Sequence, residues 1–469
     1  MKKEKKVPTL GYSVLTLTTL ILFIALGFAI YKIDFSVLMF MSWLLIGMFA
    51  LRLGFTFNEL EGFAYESAKK SIPSSAIILA VGIVIAAFMA AGTVPTILVW
   101  GLKIITPELF LVVTFLLCCV TSLATGTSWG TAGTVGVAMI GVGAGLGINP
   151  GITAGAIVSG SYFGDKMSPV SDTTILAAAL SDTDIWDHIK AMCYSTIPAA
   201  MLCVIVYLFI GFTGISGSYD ATSANQVISA LEGIFNISFI TLLPLIVIIT
   251  LIMMRKSTVT SLLIGSVVAG VIAVVYQGFS INEIGLFFAK GFIADSNDPF
   301  ITGIINRGGL TTLISLIAVF VGALGIGGML TQAGFMTPIF EAIVKRVKSQ
   351  KGVLLSAYIV TWISILLVPT YNFAFVMGST LFKEPFEKYN LHSSNLSRIL
   401  EDCGTLGGTL MPWSTGPIFF AGVLGVSSTI FCPYVLLSIF VPLISLFFIL
   451  TGIAIRKIEP KVVVEPVNV

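Results

Sequence analysis

Apolar runs of about twenty residues recur along the whole chain, the length a helix needs to cross about 30 Å of hydrocarbon. They predict membrane spans near 11–31, 35–53, 74–99, 150–180, 189–214, 236–254, 257–278, 308–332, 396–424 and 432–455. Two further apolar stretches, 107–147 and 353–382, are interrupted midway. The first break is Gly126-Thr127-Ser128-Trp129-Gly130-Thr131 and the second is Pro369-Thr370-Tyr371-Asn372-Phe373. Small and hydroxyl residues at such a break let the chain turn back at membrane depth where the loop is buried in protein or lines water. Both stretches are therefore read as re-entrant hairpins, giving about ten full spans instead of fourteen. Between spans, 56–72 sets Phe57, Leu60, Phe63 and Ala64 against Glu59, Glu61, Glu66, Lys69 and Lys70, an amphipathic segment for the inner interface. Segment 279–305, with Glu283, Asp295 and Asp298, reads as an outer loop.

Two of the predicted spans carry the same interruption, 243 residues apart: Gly164-Asp165-Lys166-Met167-Ser168-Pro169-Val170-Ser171-Asp172-Thr173 and Gly407-Gly408-Thr409-Leu410-Met411-Pro412-Trp413-Ser414-Thr415-Gly416. In both, Gly is first, Pro sixth and Ser eighth. Pro with nearby Gly and hydroxyl residues breaks an apolar helix and frees backbone groups that need partners. Broken segments at corresponding places of two halves are the best sequence pointer to a transporter's binding site. The hairpin tips repeat as well, since Asn372 falls 244 residues after Ser128.

Composition narrows the class. The chain is 56% hydrophobic and 10% charged, against roughly 25% charged in ordinary soluble proteins, so it is an all-α polytopic membrane protein. A net charge of +2 gives no footprint for nucleic acid. Six cysteines (118, 119, 193, 203, 403 and 432) lie mostly in apolar segments, without disulfide or metal spacing. The apolar run after Lys2, Lys3, Lys5 and Lys6 is too long for a signal-peptide core and reads as a retained first span. With that end inside, Arg52, Lys69, Lys70, Lys190, Arg255, Lys256, Lys345, Arg346, Lys383 and Arg456 also fall on inner loops, among others. Only Lys32, Lys103, Lys290 and Arg307 fall outside, so the positive-inside rule places both termini in the cytoplasm.

This orientation organises the chain. Residues 1–73 are two spans plus the interfacial segment, 74–214 a first repeat, 215–307 linking spans and outer loop, 308–457 a second repeat of inverted topology, and 458–469 a cytoplasmic tail. The first hairpin opens outward and the second inward.

Ionisable residues at membrane depth are few. An Asp at a helix centre costs roughly 2.5–3.5 kcal/mol on insertion scales, so each is a functional candidate. Asp165 and Asp172, with Lys166 between them, are the candidates here. Lys166 reads either as a salt-bridge partner that steadies the break beside Asp165 or as a cation for substrate, and Asp172 either as an ion ligand or as the cap of the next half-helix. Glu401 and Asp402 read as nearer the inner surface, and Asp182, Asp184 and Asp187 as helix-start acids. Na⁺ wants oxygen ligands, which Asp172, Ser168, Ser171, Thr173 and Ser128 offer, with Thr127, Asn372, Ser414 and Thr415 completing the polar set. Asp172 leads as the Na⁺ carboxylate and Asp165 follows. A carboxylate that is deprotonated with Na⁺ bound and protonated without it makes the two ions compete, which yields antiport.

The run Gly126-Thr127-Ser128-Trp129-Gly130-Thr131-Ala132-Gly133-Thr134-Val135-Gly136, with Thr153-Ala154-Gly155-Ala156 and 164–174, resembles the NhaC-type Na⁺/H⁺ antiporters. Ala91-Gly92-Thr93-Val94-Pro95, Gly101-Leu102 and His188 fit the same pattern. The resemblance implies Na⁺-driven exchange in a bacterial cytoplasmic membrane and an ion-transporter fold, often a homodimer with scaffold and transport parts. It also implies relatives that exchange organic anions, notably malate against lactate with H⁺ and Na⁺, so the organic-anion alternative stays open. Rival classes fare poorly. Phe163-Gly164-Asp165 lacks the first Gly of an intramembrane aspartyl protease motif because residue 162 is Tyr. No nucleophile–base pair or metal set can be assembled with His188 and His392 the only histidines, so no enzyme and no cofactor are expected. A channel fits inverted broken helices less well than a carrier does.

Overall fold

The computed structural model describes residues 5–214, 221–294, 302–303, 305–345, 347–368 and 370–458. The expectations for Lys2, Lys3, Asp295, Asp298, Arg346, Pro369 and the tail beyond Ile458 lie outside them. The described chain is helical, and eight of its helices are long and apolar enough to cross a membrane, or ten if each of two sharply bent pairs counts as one span. Leu116, Val120, Ile205, Phe209, Val271 and Val275 are exposed on these helices, which suits a lipid-facing surface.

The amphipathic segment is the helix Phe57–Ala68, opened by a capping box between Thr56 and Glu59. The Lys5 ammonium, with the Thr56 amide behind it, holds the Glu59 carboxyl down at about 2. The helices Phe35–Arg52 and Phe57–Ala68 pack on Ile314–Gln332, where the Trp43 indole donates to the Gly322 carbonyl at 2.8 Å. The expected outer loop contains the capped helix Ile281–Lys290.

The predicted span 74–99 is not a single helix. Instead, the chain forms Ile72–Ala90, turns at Ala91-Gly92 and restarts as Thr93–Ile104. Gly92 takes φ +77°, a left-handed conformation that Gly accepts without steric cost; the apolar run continued through it and hid the turn.

Both apolar stretches and both broken segments are interrupted where expected, and the first arm of each stretch, Pro107–Thr125 and Gln350–Leu367, is itself long and apolar enough to cross a membrane. The first hairpin is Pro107–Thr125 followed by Ser128–Thr131, a π-helical stretch Ala132–Gly136 and Val137–Gly145. The second is Gln350–Leu367 and Tyr371–Lys388. The broken segments are Pro150–Met167 with Asp172–Leu180, and Ser393–Ile399 running through a π-helical stretch Leu400–Thr405 and Leu406–Thr409 before Thr415–Leu424.

At one end of the bundle these parts are tied together. Asn390 and His392 exchange backbone hydrogen bonds with Ile458 and Arg456. Lys383 pairs with Asp182 at 2.5 Å and Arg456 with Asp187 at 2.9 Å. Asp184 accepts from the Trp186 amide at the start of Ile185–Gly214, the helix-start role its position suggested.

Candidate ion site

The first hairpin turns because Pro107–Thr125 ends at Gly126, whose φ is +68°. A Cβ on Gly126 would sit 2.6 Å from Val170 Cγ2 and 3.2 Å from the Ser171 amide nitrogen, so the tip rests on the break of the neighbouring helix. Thr127 is extended and accepts from the Gly130 amide, starting the return arm.

The break itself begins at Ser168, which leaves helical geometry with ψ 128° just before Pro169. Ser171 is extended and Asp172 is the first residue of the next half-helix, so Asp172 is not its cap. The two turns meet at Asp165. Ser128 donates to Asp165 Oδ2 at 2.6 Å and Ser171 to Oδ1 at 2.7 Å. Ser171 also lies 3.1 Å from the Thr173 hydroxyl. Asp165 is 4% exposed.

Gly160 and Gly164 allow this approach, one turn apart on the face that meets Pro107–Thr125, as small residues do between membrane helices. A Cβ on Gly164 would lie 2.0 Å from the Leu123 amide nitrogen and 2.4 Å from the Ser122 carbonyl carbon. Gly164→Ala is therefore expected to force the two backbones apart, lowering detergent thermal stability and apparent Na⁺ affinity together. Gly285→Ala, on an exposed helix with nothing within 4 Å, should cost neither. Equal behaviour of the two variants would show that Gly164 does not set the position of Asp165.

Asp165 opens onto a cavity of about 430 Å³. Thr127, Ser128, Asp172 and Thr173 line it from the N-terminal half of the chain, and Thr370, Tyr371, Asn372 and Thr415 from the C-terminal half. The Tyr371 hydroxyl donates to Asp172 Oδ2 at 3.0 Å. Trp129, Tyr162, Phe320 and Phe373 form apolar wall, and Ser67, Lys70 and Gln332 also line it, the last two exposed. Trp129 also packs, stacked on Phe419 with ring centroids 4.3 Å apart. Both half-helices Asp172–Leu180 and Thr415–Leu424 start at this cavity, and their first residues occupy equivalent places in the repeated motif.

Three candidates lie elsewhere. Ser168 donates to the Leu123 carbonyl and does not line the cavity. Ser414 is buried just before Thr415, its amide bonded to the Met411 carbonyl. Lys166 neither pairs with Asp165 nor faces the cavity: its ammonium binds Asp402 Oδ1 at 2.6 Å, both side chains wholly buried. Ser195 donates to the same oxygen at 3.1 Å. Glu401 and Asp402 are both fully buried in the protein. Sequence reasoning also missed Tyr371 and Tyr162. Tyr371 had a signal, adjacency to Asn372 at the tip; Tyr162 had none beyond lying one turn before Asp165.

Two broken helices and two hairpin tips converging on an acidic, hydroxyl-lined cavity in a polytopic chain define a membrane transporter. The profile of the Na⁺/H⁺ antiporter family matches residues 160–453, and the chain belongs to that family. It is 35% identical to the Na⁺/H⁺ antiporter NhaC of Alkalihalophilus pseudofirmus, covering 97% of this chain and 98% of the relative. It is 33% identical to the malate-2H⁺/Na⁺-lactate antiporter of Bacillus subtilis over 93% of each. It is 31% identical to the arginine/ornithine antiporter ArcD of Halobacterium salinarum, over 97% and 95%.

Proposed function

We propose that this chain exchanges Na⁺ for H⁺ by alternating access, with the two ions competing at Asp165. The observation that carries the reading is the buried Asp165 carboxylate, held by one hydroxyl from the hairpin tip and one from the break, at the base of a cavity shared by both repeats. Asp165 and Asp172 supply the charge, and Ser128 and Asn372 supply neutral oxygens for Na⁺. The convergence of equivalent positions, Asp172 with Thr415 and Ser128 with Asn372, supports the inverted-repeat organisation with re-entrant hairpins. With Lys69 and Lys70 on the inner side, as the positive-inside rule has it, the exposed lining at Lys70 and Gln332 makes this an inward-open arrangement. Both termini are then cytoplasmic, the membrane is the bacterial cell membrane, and the working unit is a homodimer. No step calls for enzymatic chemistry.

Competition has a defined signature. Apparent Na⁺ affinity in proteoliposomes should rise about tenfold per pH unit at the acidic end and flatten at high pH, between about pH 6 and 9, where buried carboxylates titrate. An affinity flat with pH, with only the maximal rate responding, would separate the proton from the Na⁺ site.

A second reading, Na⁺- and H⁺-coupled exchange of organic anions, rests on the malate/lactate relative and on the two half-helix N-termini at the cavity, which suit a carboxylate substrate. Against it, the cavity holds two carboxylates, and Lys166 is engaged by Asp402. Counterflow with Na⁺ alone against Na⁺ plus malate or lactate distinguishes the two.

A further inference from the structure

Behind the cavity lies a second buried polar cluster that Na⁺ binding does not use. It centres on Glu401, in the π-helical stretch of the second broken segment. Glu401 is 0% exposed, and among the described residues neither of its carboxylate oxygens has a hydrogen-bond partner. The Thr173 and Thr405 hydroxyls lie against its carboxylate without a formed hydrogen bond, close enough for rotation of either side chain to make one. Thr173 is in turn 3.1 Å from Ser171, which bonds Asp165.

The charges around it can be counted. Lys166 is the nearest cation and is committed to Asp402 at 2.6 Å. Asp402 is the adjacent anion, and Asp165 acts on Glu401 from the cavity side. On the same segment, one turn before Glu401, the Arg398 guanidinium donates from Nη1 to the Ala454 carbonyl and lies over the Phe448 ring, with Nε and Nη2 unpartnered among the described residues, while Tyr371 is held on Asp172. Lys383 is paired with Asp182, and Gln350–Leu367 contributes Tyr358, whose hydroxyl donates to the Pro442 carbonyl. The Lys166 ammonium is thus taken by Asp402, the Arg398 guanidinium is turned to Ala454, and His188, buried beside Lys166, is bonded to Ser397 at 2.8 Å, so none of the three is bonded to Glu401. An ionised carboxylate buried without hydrogen bonds or its own counter-charge costs several kcal/mol, and binding a proton removes that cost.

We propose that Glu401 is a proton-carrying site distinct from the Na⁺ cavity and connected to it through the Thr173 and Ser171 hydroxyls. A proton arriving at Asp165 passes along the hydroxyl pair to a Glu401 oxygen, and leaves by the same route when the cavity faces the other side. In the Na⁺-free return step Asp165 and Glu401 each carry a proton, and both protons leave before Na⁺ binds at Asp165. This rests on the Na⁺ site proposed above.

The test separates the two claims. Proteoliposomes of the wild type and of Glu401→Gln are assayed for ²²Na⁺/Na⁺ exchange, which needs the Na⁺ site and alternating access but no net proton movement. The same vesicles are assayed for Na⁺-driven proton movement with a pH dye. The expected result is Na⁺/Na⁺ exchange near the wild-type rate, with fewer protons moved per Na⁺ in Glu401→Gln. An unchanged proton-to-Na⁺ ratio overturns the proposal, and so does loss of both exchange modes, which would make Glu401 part of the Na⁺ site or of the packing. If the Gln variant does not reach the membrane, Glu401→Asp carries the test: a shifted pH profile of Na⁺/H⁺ exchange with intact Na⁺/Na⁺ exchange supports the proposal, and an unchanged profile overturns it. Absence of Na⁺/Na⁺ exchange in the wild type would instead sink the Na⁺ site.

Discussion

Asp165→Asn is expected to abolish Na⁺-coupled exchange while leaving the protein folded and inserted. The amide oxygen can still accept from Ser128 or Ser171, both now at 2.6–2.7 Å from the carboxylate, so the junction between hairpin tip and break keeps its geometry. What disappears is the charge. Interactions with a charged group are worth about 1.5–3 kcal/mol each, which translates to a loss of Na⁺ affinity of about tenfold to a hundredfold, and the proton has no carboxylate to compete for. Asp172→Asn should do less, because Asp172 is exposed to the cavity and bonded by Tyr371 alone among the contacts found. Na⁺-dependent uptake of the two variants, normalised to inserted protein, decides between them. Near-normal Na⁺ dependence in Asp165→Asn with loss in Asp172→Asn would return the site to the carboxylate that the sequence alone favours.

The second large effect concerns the wholly buried Lys166–Asp402 pair. Removing one partner leaves an uncompensated buried charge, at a cost of about 3–5 kcal/mol, whereas replacing both by apolar residues of similar size is often neutral. Lys166→Met and Asp402→Leu should each strongly lower thermal stability in detergent, and the double variant should recover most of it. The double variant should also keep Na⁺/Na⁺ exchange, since neither residue lines the cavity. A double variant as unstable as either single one would mean that the pair is held by more than its own attraction, with Ser195, at 3.1 Å from Asp402, the first group to examine.

The parts of the site that the sequence made legible are those built from local backbone chemistry. Pro169 with Ser168 and Ser171 announced a break, and Gly126-Thr127-Ser128 announced a turn. The repeat register then paired Asp172 with Thr415 and Ser128 with Asn372, and all four line one cavity. What stayed hidden depends on contacts between distant segments. Lys166 and Asp402 are 236 residues apart, and in the repeat register Asp402 falls opposite Ser159, so symmetry gives no hint of a charge there. Glu401 and Asp402 read as interfacial because they follow Arg398. Arg398 is itself buried, its guanidinium donating to the Ala454 carbonyl at 2.9 Å beneath the turn that follows the last helix. The break at Gly92 was masked for a different reason: apolar residues flank it on both sides, and one left-handed Gly leaves hydropathy unchanged.

The backbone ladder joining Asn390 and His392 to Arg456 and Ile458, with the Asp182–Lys383 and Asp187–Arg456 pairs beside it, has a mechanical consequence. It staples the helix Tyr371–Lys388 and the turn after it to the turn that follows Asp172–Leu180, to the start of Ile185–Gly214 and to the end of the last helix. Under the alternating access proposed above, these pieces move together as one block. The sliding seam then falls on the wall formed by the helix Ile314–Gln332, where Phe320 packs edge-on against Trp129 with ring centroids 5.9 Å apart. That wall belongs with Trp43 and the N-terminal helices, which would make them the stator.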